Sequence, residues 1–288
     1  MTVALPENLA PNLFLGTSSW SSADWVGPFY PKGTAPAGFL GHYSQHYRTV
    51  EIDSTFYHAP GPKLVDGWNA KTPDDFIFSA KVPKLITHER ALVGCGEEMR
   101  HFVSVMDRLE GKLGALLLQF EYVAKGKDAE EYKTGNKFRA RLEPFLEQLP
   151  ADHSYVVEVR NEHWLGPKLL ELLAKHKVAL ALTDYFTLPP VAVLLEKVEP
   201  LSASFLYVRF LGHHKQMDKL VKEAQERGER TSEWSEVAVD RTREMSAWVP
   251  ALKDLVKRKL PSYAYFNNHY AGYAPGSIEL FRKVWLGA

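Results

Sequence analysis

Apolar runs of six to eight residues recur along the chain: LFLGTSS from Leu13, TVEIDSTF from Thr49, FIFSAKV from Phe76, ALLLQF from Ala115, YVVEVR from Tyr155, VALALTD from Val178, FLYVRF from Phe205 and SYAYFNN from Ser262. Runs of that length predict strands, and near-continuous apolarity, clearest in ALLLQF and VALALTD, predicts parallel strands buried on both faces. Between them the apolar positions return at helical spacing. Phe138, Leu142, Phe145, Leu146 and Leu149 share one helix face, as do Phe102, Val105, Met106 and Leu109, and less cleanly Leu169, Leu170, Leu172 and Leu173. Further helices are expected around 39–47, 63–71, 237–259 and 277–285. Eight strands alternating with helices predict an α/β fold that closes into a single (β/α)8 TIM barrel. An open doubly wound sheet fits less well, because GTSSW after the first run lacks a Gly-rich dinucleotide fingerprint.

Two connections are long. The polar stretch Tyr122–Gly135 reads as a mobile loop. The stretch His213–Arg230 reads as a helical insertion after the seventh strand, about 213–232, whose nearly balanced charges suit a solvated helix face. No linker divides the chain, so one domain over 1–288, with a core of about 13–285, is expected.

Composition narrows the class. The 288 residues are 45% hydrophobic, with 35 basic and 35 acidic side chains. That balance disfavours a general nucleic-acid binder, since phosphate contacts demand a basic surface. The lone Cys95 has no internal disulfide partner, and its GCG setting makes it incidental rather than a nucleophile. No run approaches the ~18 apolar residues of a membrane span. MTVALPENLAPN lacks the pattern of a signal peptide, so a cytoplasmic protein without membrane partners is expected.

In a barrel, residues at the C-terminal strand ends converge on one mouth. Those positions hold Trp20, Glu51, Asp53, Tyr57, Lys81, His88, Gln119, Glu158, Arg160, Asp184, Arg209, Asn267, Asn268 and His269. Glu51 lies between Val50 and Ile52, Glu158 between Val157 and Val159, and Arg209 between Val208 and Phe210. A buried charge is costly unless paired, so its recurrence on several strands predicts a shared site.

These residues also lie in recognisable motifs. GTSSW, the Trp25–Pro31 run, VEIDSTFYHAP, the Trp68–Asp74 stretch, FIFSAKVP with ITH at 86–88, LLQF, EVRNEHW and YFNNH follow in order from about Leu13 to Trp285. In this the chain resembles the YecE-like family, known as domain of unknown function 72. The resemblance implies a TIM barrel and supplies no reaction. Three positions depart from the family pattern: Ser19 where glycine commonly precedes the tryptophan, Asp53 where asparagine is common, and His58 where arginine is common. The last weakens an anion-binding role for that loop, and Asp53 adds a carboxylate beside Glu51.

The reading preferred on chemistry is an enzyme, a hydrolase or isomerase, working on a small anionic or polyhydroxylated substrate such as a sugar or phosphate. Glu158 is the expected general acid or base, with Glu51 and His88 as catalytic partners. Replacing Glu158 should then abolish activity without loss of stability. Lys81, Arg160 and Arg209 would bind the anion. Gln119, Asp184, Asn267, Asn268 and His269 would orient polar groups, and Tyr57, Trp20 and Trp25 would supply flat walls. No cofactor is evident. One alternative is a divalent metal on Glu51, Asp53, His88, Glu158, Asp184 and His269, serving a phosphodiesterase or endonuclease-like hydrolysis. Another is binding without turnover, to a ligand or to nucleic acid through Lys215, Lys219, Lys222, Arg227 and Arg230 of the insertion.

Overall fold

The computed structural model describes residues 9–197, 202–229 and 232–287. The opening residues 1–8 and Arg230 lie outside that range. The eight strands are β1 Leu13–Thr17, β2 Thr49–Ile52, β3 Ile77–Lys81, β4 Leu113–Gln119, β5 Ser154–Glu158, β6 Ala179–Tyr185, β7 Leu206–Gly212 and β8 Ser262–Phe266. Each falls on one of the apolar runs. They form one parallel sheet in the order β1-β8-β7-β6-β5-β4-β3-β2. Every residue of β2 and β7 is buried, as strands covered by helices on one side and a packed barrel interior on the other must be.

The ends of the sheet meet where β1 comes beside β2. Ser18 and Glu51 form a parallel bridge, and the Ser19 amide donates to the Glu51 carbonyl at 2.8 Å. Gly16 permits the approach, since a Cβ there would stand 2.3 Å from the Thr49 carbonyl oxygen. The Tyr43 hydroxyl spans the same seam. It accepts from the Thr17 amide at 2.8 Å and donates to the Thr49 carbonyl at 3.1 Å.

The helices are α1 Pro36–Tyr43, α2 Pro62–Ala70, α3 Gly96–Met106, α4 Ala129–Thr134, α5 Asn136–Leu146, α6 Pro167–Lys175, α7 Val191–Lys197, α8 His214–Glu226, α9 Thr242–Val256, α10 Asn268–Ala271 and α11 Ala274–Gly287. Prolines in the first turns of α1, α2 and α6 suit positions whose amides have no intrahelical acceptor. None of these helices is long and apolar enough to cross a membrane.

Between β7 and β8 the chain makes two helices. Of these, α9 packs against α7 and α11 in the outer ring, while α8 lies against α10 after β8. Thus α8 is the additional helix expected after the seventh strand. Its exposed side carries the pairs Lys219–Glu223 and Lys222–Glu226, as a solvated face does. One expectation is corrected. The stretch 122–135 contains α4, which Asp128 caps by accepting from the Glu131 amide and which Trp164 fastens through Nε1 to the Glu131 carbonyl at 2.7 Å.

Candidate active site at the barrel mouth

Strands β2, β5 and β7 are not neighbours in the sheet, yet their ionic side chains touch, so the contact crosses the barrel interior. Arg209 donates through Nε and Nη2 to the two oxygens of Glu51 at 2.9 and 2.6 Å, and through Nη1 to Glu158. The other Glu158 oxygen accepts from Arg160 Nε at 3.0 Å. Tyr207 lies two residues before Arg209 and therefore on the same strand face. Its hydroxyl donates to Glu51 at 2.6 Å. Burial and the nearby Glu51 push that phenol well above its ordinary range, which keeps it a donor.

Glu51, Glu158 and Arg209 are at most 1% exposed. An unpaired ion at that depth carries a penalty of several kcal/mol, so both carboxylates depend on Arg209 and Arg209 on them. Burial alone would raise the Glu158 carboxyl. The guanidiniums of Arg209 and Arg160 outweigh burial and hold it at about 2. With both oxygens committed and so low a proton affinity, Glu158 is an anion at neutral pH. It cannot serve there as a proton donor, and it is a weak base. Glu51 is similarly committed, to Arg209 and Tyr207. The two carboxylates expected to react thus hold a guanidinium.

Nearer solvent the arrangement is looser. Lys81 ends β3, with Nζ 3.8 Å from Asp53 Oδ1 and 4.0 Å from the centre of the Phe56 ring. Arg209 Nη2 lies 3.9 Å from the same Asp53 oxygen. Neither cation is within hydrogen-bonding distance, and this buried oxygen has no hydrogen-bond partner among the described residues. A buried acceptor in that state calls for a donor from a ligand or an ordered water. Burial raises the Asp53 carboxyl, partly offset by Lys81, and burial also lowers the Lys81 ammonium. Both shifts favour the neutral forms.

Around the pair stand Arg160 and two histidines. Arg160 lies over the Tyr185 ring at 4.5 Å while holding Glu158. His88 shares a 2.8 Å hydrogen bond between Nδ1 and the Thr87 hydroxyl, and burial and then Lys81 lower its proton affinity. His214, at the start of α8, is pulled down to about 3 by burial, then by His269 and by the cations Arg160, Arg209 and Lys81.

Other expected site residues have different partners. Side chains alternate along a strand, so Asp184 faces away from the interior reached by Thr183 and meets the Tyr270 hydroxyl at 3.3 Å. Asn267 accepts from the His269 amide and Asn268 from the Ala274 amide, so both settle the helices after β8. His269 joins Asn267 through Nδ1 and Asp218 of α8 through Nε2, at 2.8 and 2.9 Å. Gln119 is buried beside Glu158 in register, with its amide turned to the Phe120 carbonyl. Trp25 is sealed in the core among Phe29, Tyr30 and Tyr273, whereas Trp20 is half-buried and packs edge-on to Trp68 and Phe78. Tyr57 and His58 line a separate groove of about 570 Å³ with Leu85, Glu97 and His101.

The six residues named for a metal do not converge. Arg209 stands between Glu51 and Glu158, while Asp184 and His269 face elsewhere. Among the described residues, ligand atoms gather closely only at Glu143, Glu147 and His176 on the outer helices, where Lys175 Nζ already sits 2.6 Å from Glu143. Cys95 is buried, and burial followed by Glu98 raises its thiol, which opposes a nucleophilic role. Sequence reasoning missed Tyr207 and Tyr185, and by sequence His213 and His214 read as surface histidines beside the insertion, whereas His214 Nε2 is buried. For Tyr207 a signal existed, its spacing of two from Arg209 on one strand.

Comparison with known proteins agrees with this fold. A family model described as "Protein of unknown function DUF72" matches residues 14–286. UPF0759 protein YecE of Escherichia coli strain K12 is 30% identical over 154 residues, covering 54% of this chain and 50% of the relative. UPF0759 protein YunF of Bacillus subtilis strain 168 is 26% identical over 165 residues, covering 55% and 54%. The chain thus matches about half the length of these curated relatives. A crystal structure of a DUF72 family protein from Thermotoga maritima MSB8 superposes with a TM-score of 0.72 at 26% identity, covering 96% of this chain and 99% of that one. One from Enterococcus faecalis V583, at 23% identity and a TM-score of 0.69 over 95% of both chains, shows the shared fold.

Proposed function

The chain belongs to the DUF72 family, whose description names no reaction, and from that premise we propose that it is an enzyme of acid–base chemistry on a compact oxyanion-bearing substrate. Lys81 and Arg160 bind the anion at the mouth. Asp53 carries the proton, and His88, against the Phe56 ring on which Lys81 rests, is a neutral polar group nearby. Glu51, Glu158, Arg209 and Tyr207 form the fixed base that positions them.

One observation carries this reading. The Asp53 oxygen is buried without a hydrogen-bond partner, between two cations that stop just short of it. A group whose proton affinity is raised by burial, in an electrostatic field set by fixed ions, is the usual arrangement for a general acid or base. A divalent metal at the same place is less favoured, because Lys81 and Arg209 occupy the carboxylates' neighbourhood as cations.

The test is calorimetric titration with inorganic phosphate. Wild-type protein should bind one phosphate per chain, and Lys81→Met should weaken binding at least about tenfold, the effect of losing one charge-assisted contact of roughly 1.5–3 kcal/mol. Equal affinity in the two proteins, or no binding by wild type, would overturn the proposal.

A further inference from the structure

Above Arg160 one side of the mouth is built of rings. Tyr185 ends β6 and Phe186 follows it, their centroids 4.6 Å apart. Phe186 stacks on His213 at 4.0 Å and 23°. His214 meets Tyr185 edge-on at 5.8 Å and stacks on His269 at 4.3 Å and 22°. Arg160, lying over the Tyr185 ring, ties this wall to the ionic cluster below.

We propose that the substrate's oxyanion is carried on a flat unsaturated ring, which stacks on the wall made by Phe186, His213, His214 and Tyr185 while Lys81 and Arg160 hold the anion. This rests on the oxyanion reading above and adds the substrate's second half.

Three features support it. Phe186 is 53% exposed although it is large and apolar, and it stands next to a cation-lined mouth, where an uncovered ring is a stacking plate. The wall is pre-arranged by its own stacked pairs, so little side-chain freedom is lost when a ligand covers it. His214 Nε2 is buried without a hydrogen-bond partner among the described residues, so it offers a polar atom to a ligand's edge. Because burial first, and then His269 and the cations nearby, lower its proton affinity, the same histidine presents a face that does not compete with Lys81 and Arg160 for the anion.

The experiment compares inorganic phosphate, methyl phosphate and phenyl phosphate by calorimetric titration of the full chain. Phenyl phosphate should bind wild type about tenfold more tightly than methyl phosphate. In Phe186→Ala or His213→Ala that ratio should fall to within about twofold, with the thermal midpoint confirming that each variant is folded. A ratio near one in wild type, or a tenfold ratio kept by both variants, would overturn the inference. Phosphate binding without ring preference overturns this step alone. Failure of all three probes to bind overturns it together with the oxyanion reading.

Discussion

Arg209 balances two carboxylates at once, and Glu158 in turn is shared with Arg160. Glu158→Gln keeps the shape and removes a charge on which two guanidiniums rely. Breaking one partner of a buried ion group costs about 3–5 kcal/mol. The thermal midpoint should fall by roughly 10 °C in a chain of this size, and an unchanged midpoint would contradict the assignment. This reverses the expectation drawn from sequence, in which Glu158 was reactive and dispensable for stability. The pH dependence follows from the lowered proton affinity. Stability due to Glu158 is fully present above the ordinary glutamate range and is lost as the pH falls towards about 2. Ser19 makes the opposite case. Its φ of +100° lies where glycine is at ease, and glycine is what the resemblance drawn from sequence leads one to expect there. Its amide bond to Glu51 survives substitution. Ser19→Gly should therefore stabilise the fold by about 1 kcal/mol, seen as a higher denaturation midpoint in urea. A lower midpoint would show that the serine side chain matters more than the backbone angle.

Among the elements, the approach of α10 to the end of β7 sets the upper wall of the mouth. Gly212 has a φ of +67°, and a Cβ on it would stand 2.7 Å from the His269 carbonyl oxygen and 2.9 Å from Tyr270 Cα. Gly212→Ala should destabilise by about 1–3 kcal/mol in chemical denaturation, because backbone rather than a flexible side chain must give way. A loss below about 0.5 kcal/mol would mean that α10 shifts freely. The strands were legible because burial on both faces leaves a run such as VALALTD or FLYVRF little room for polar residues. α4 was not legible. It is six residues long, and much of what holds it is tertiary, including Trp164 on the Glu131 carbonyl and the Glu131 carboxylate on the amides of Lys137 and Phe138. Neither contact leaves a periodic apolar trace.

At the scale of the molecule, the barrel brings together residues far apart in the chain. Glu51 and Arg209 are separated by 158 positions. Sequence showed that charged residues interrupt apolar strands, and so located Glu51, Lys81, Glu158 and Arg209. It could not show which would pair, because pairing depends on depth along non-adjacent strands. Glu158, expected to react, has both oxygens held by guanidiniums, and Trp25, expected on a wall, lies in the core. The account depends on a division between a sealed ionic base and a pair above it shifted towards its neutral forms. Carbon-13 NMR titration of the aspartate and glutamate carboxyls tests that division most directly. Asp53 should titrate above the ordinary aspartate range, and Glu158 should stay ionised until the pH approaches about 2. A Glu158 that titrates near neutral pH, or an Asp53 that titrates below the ordinary range, would contradict it.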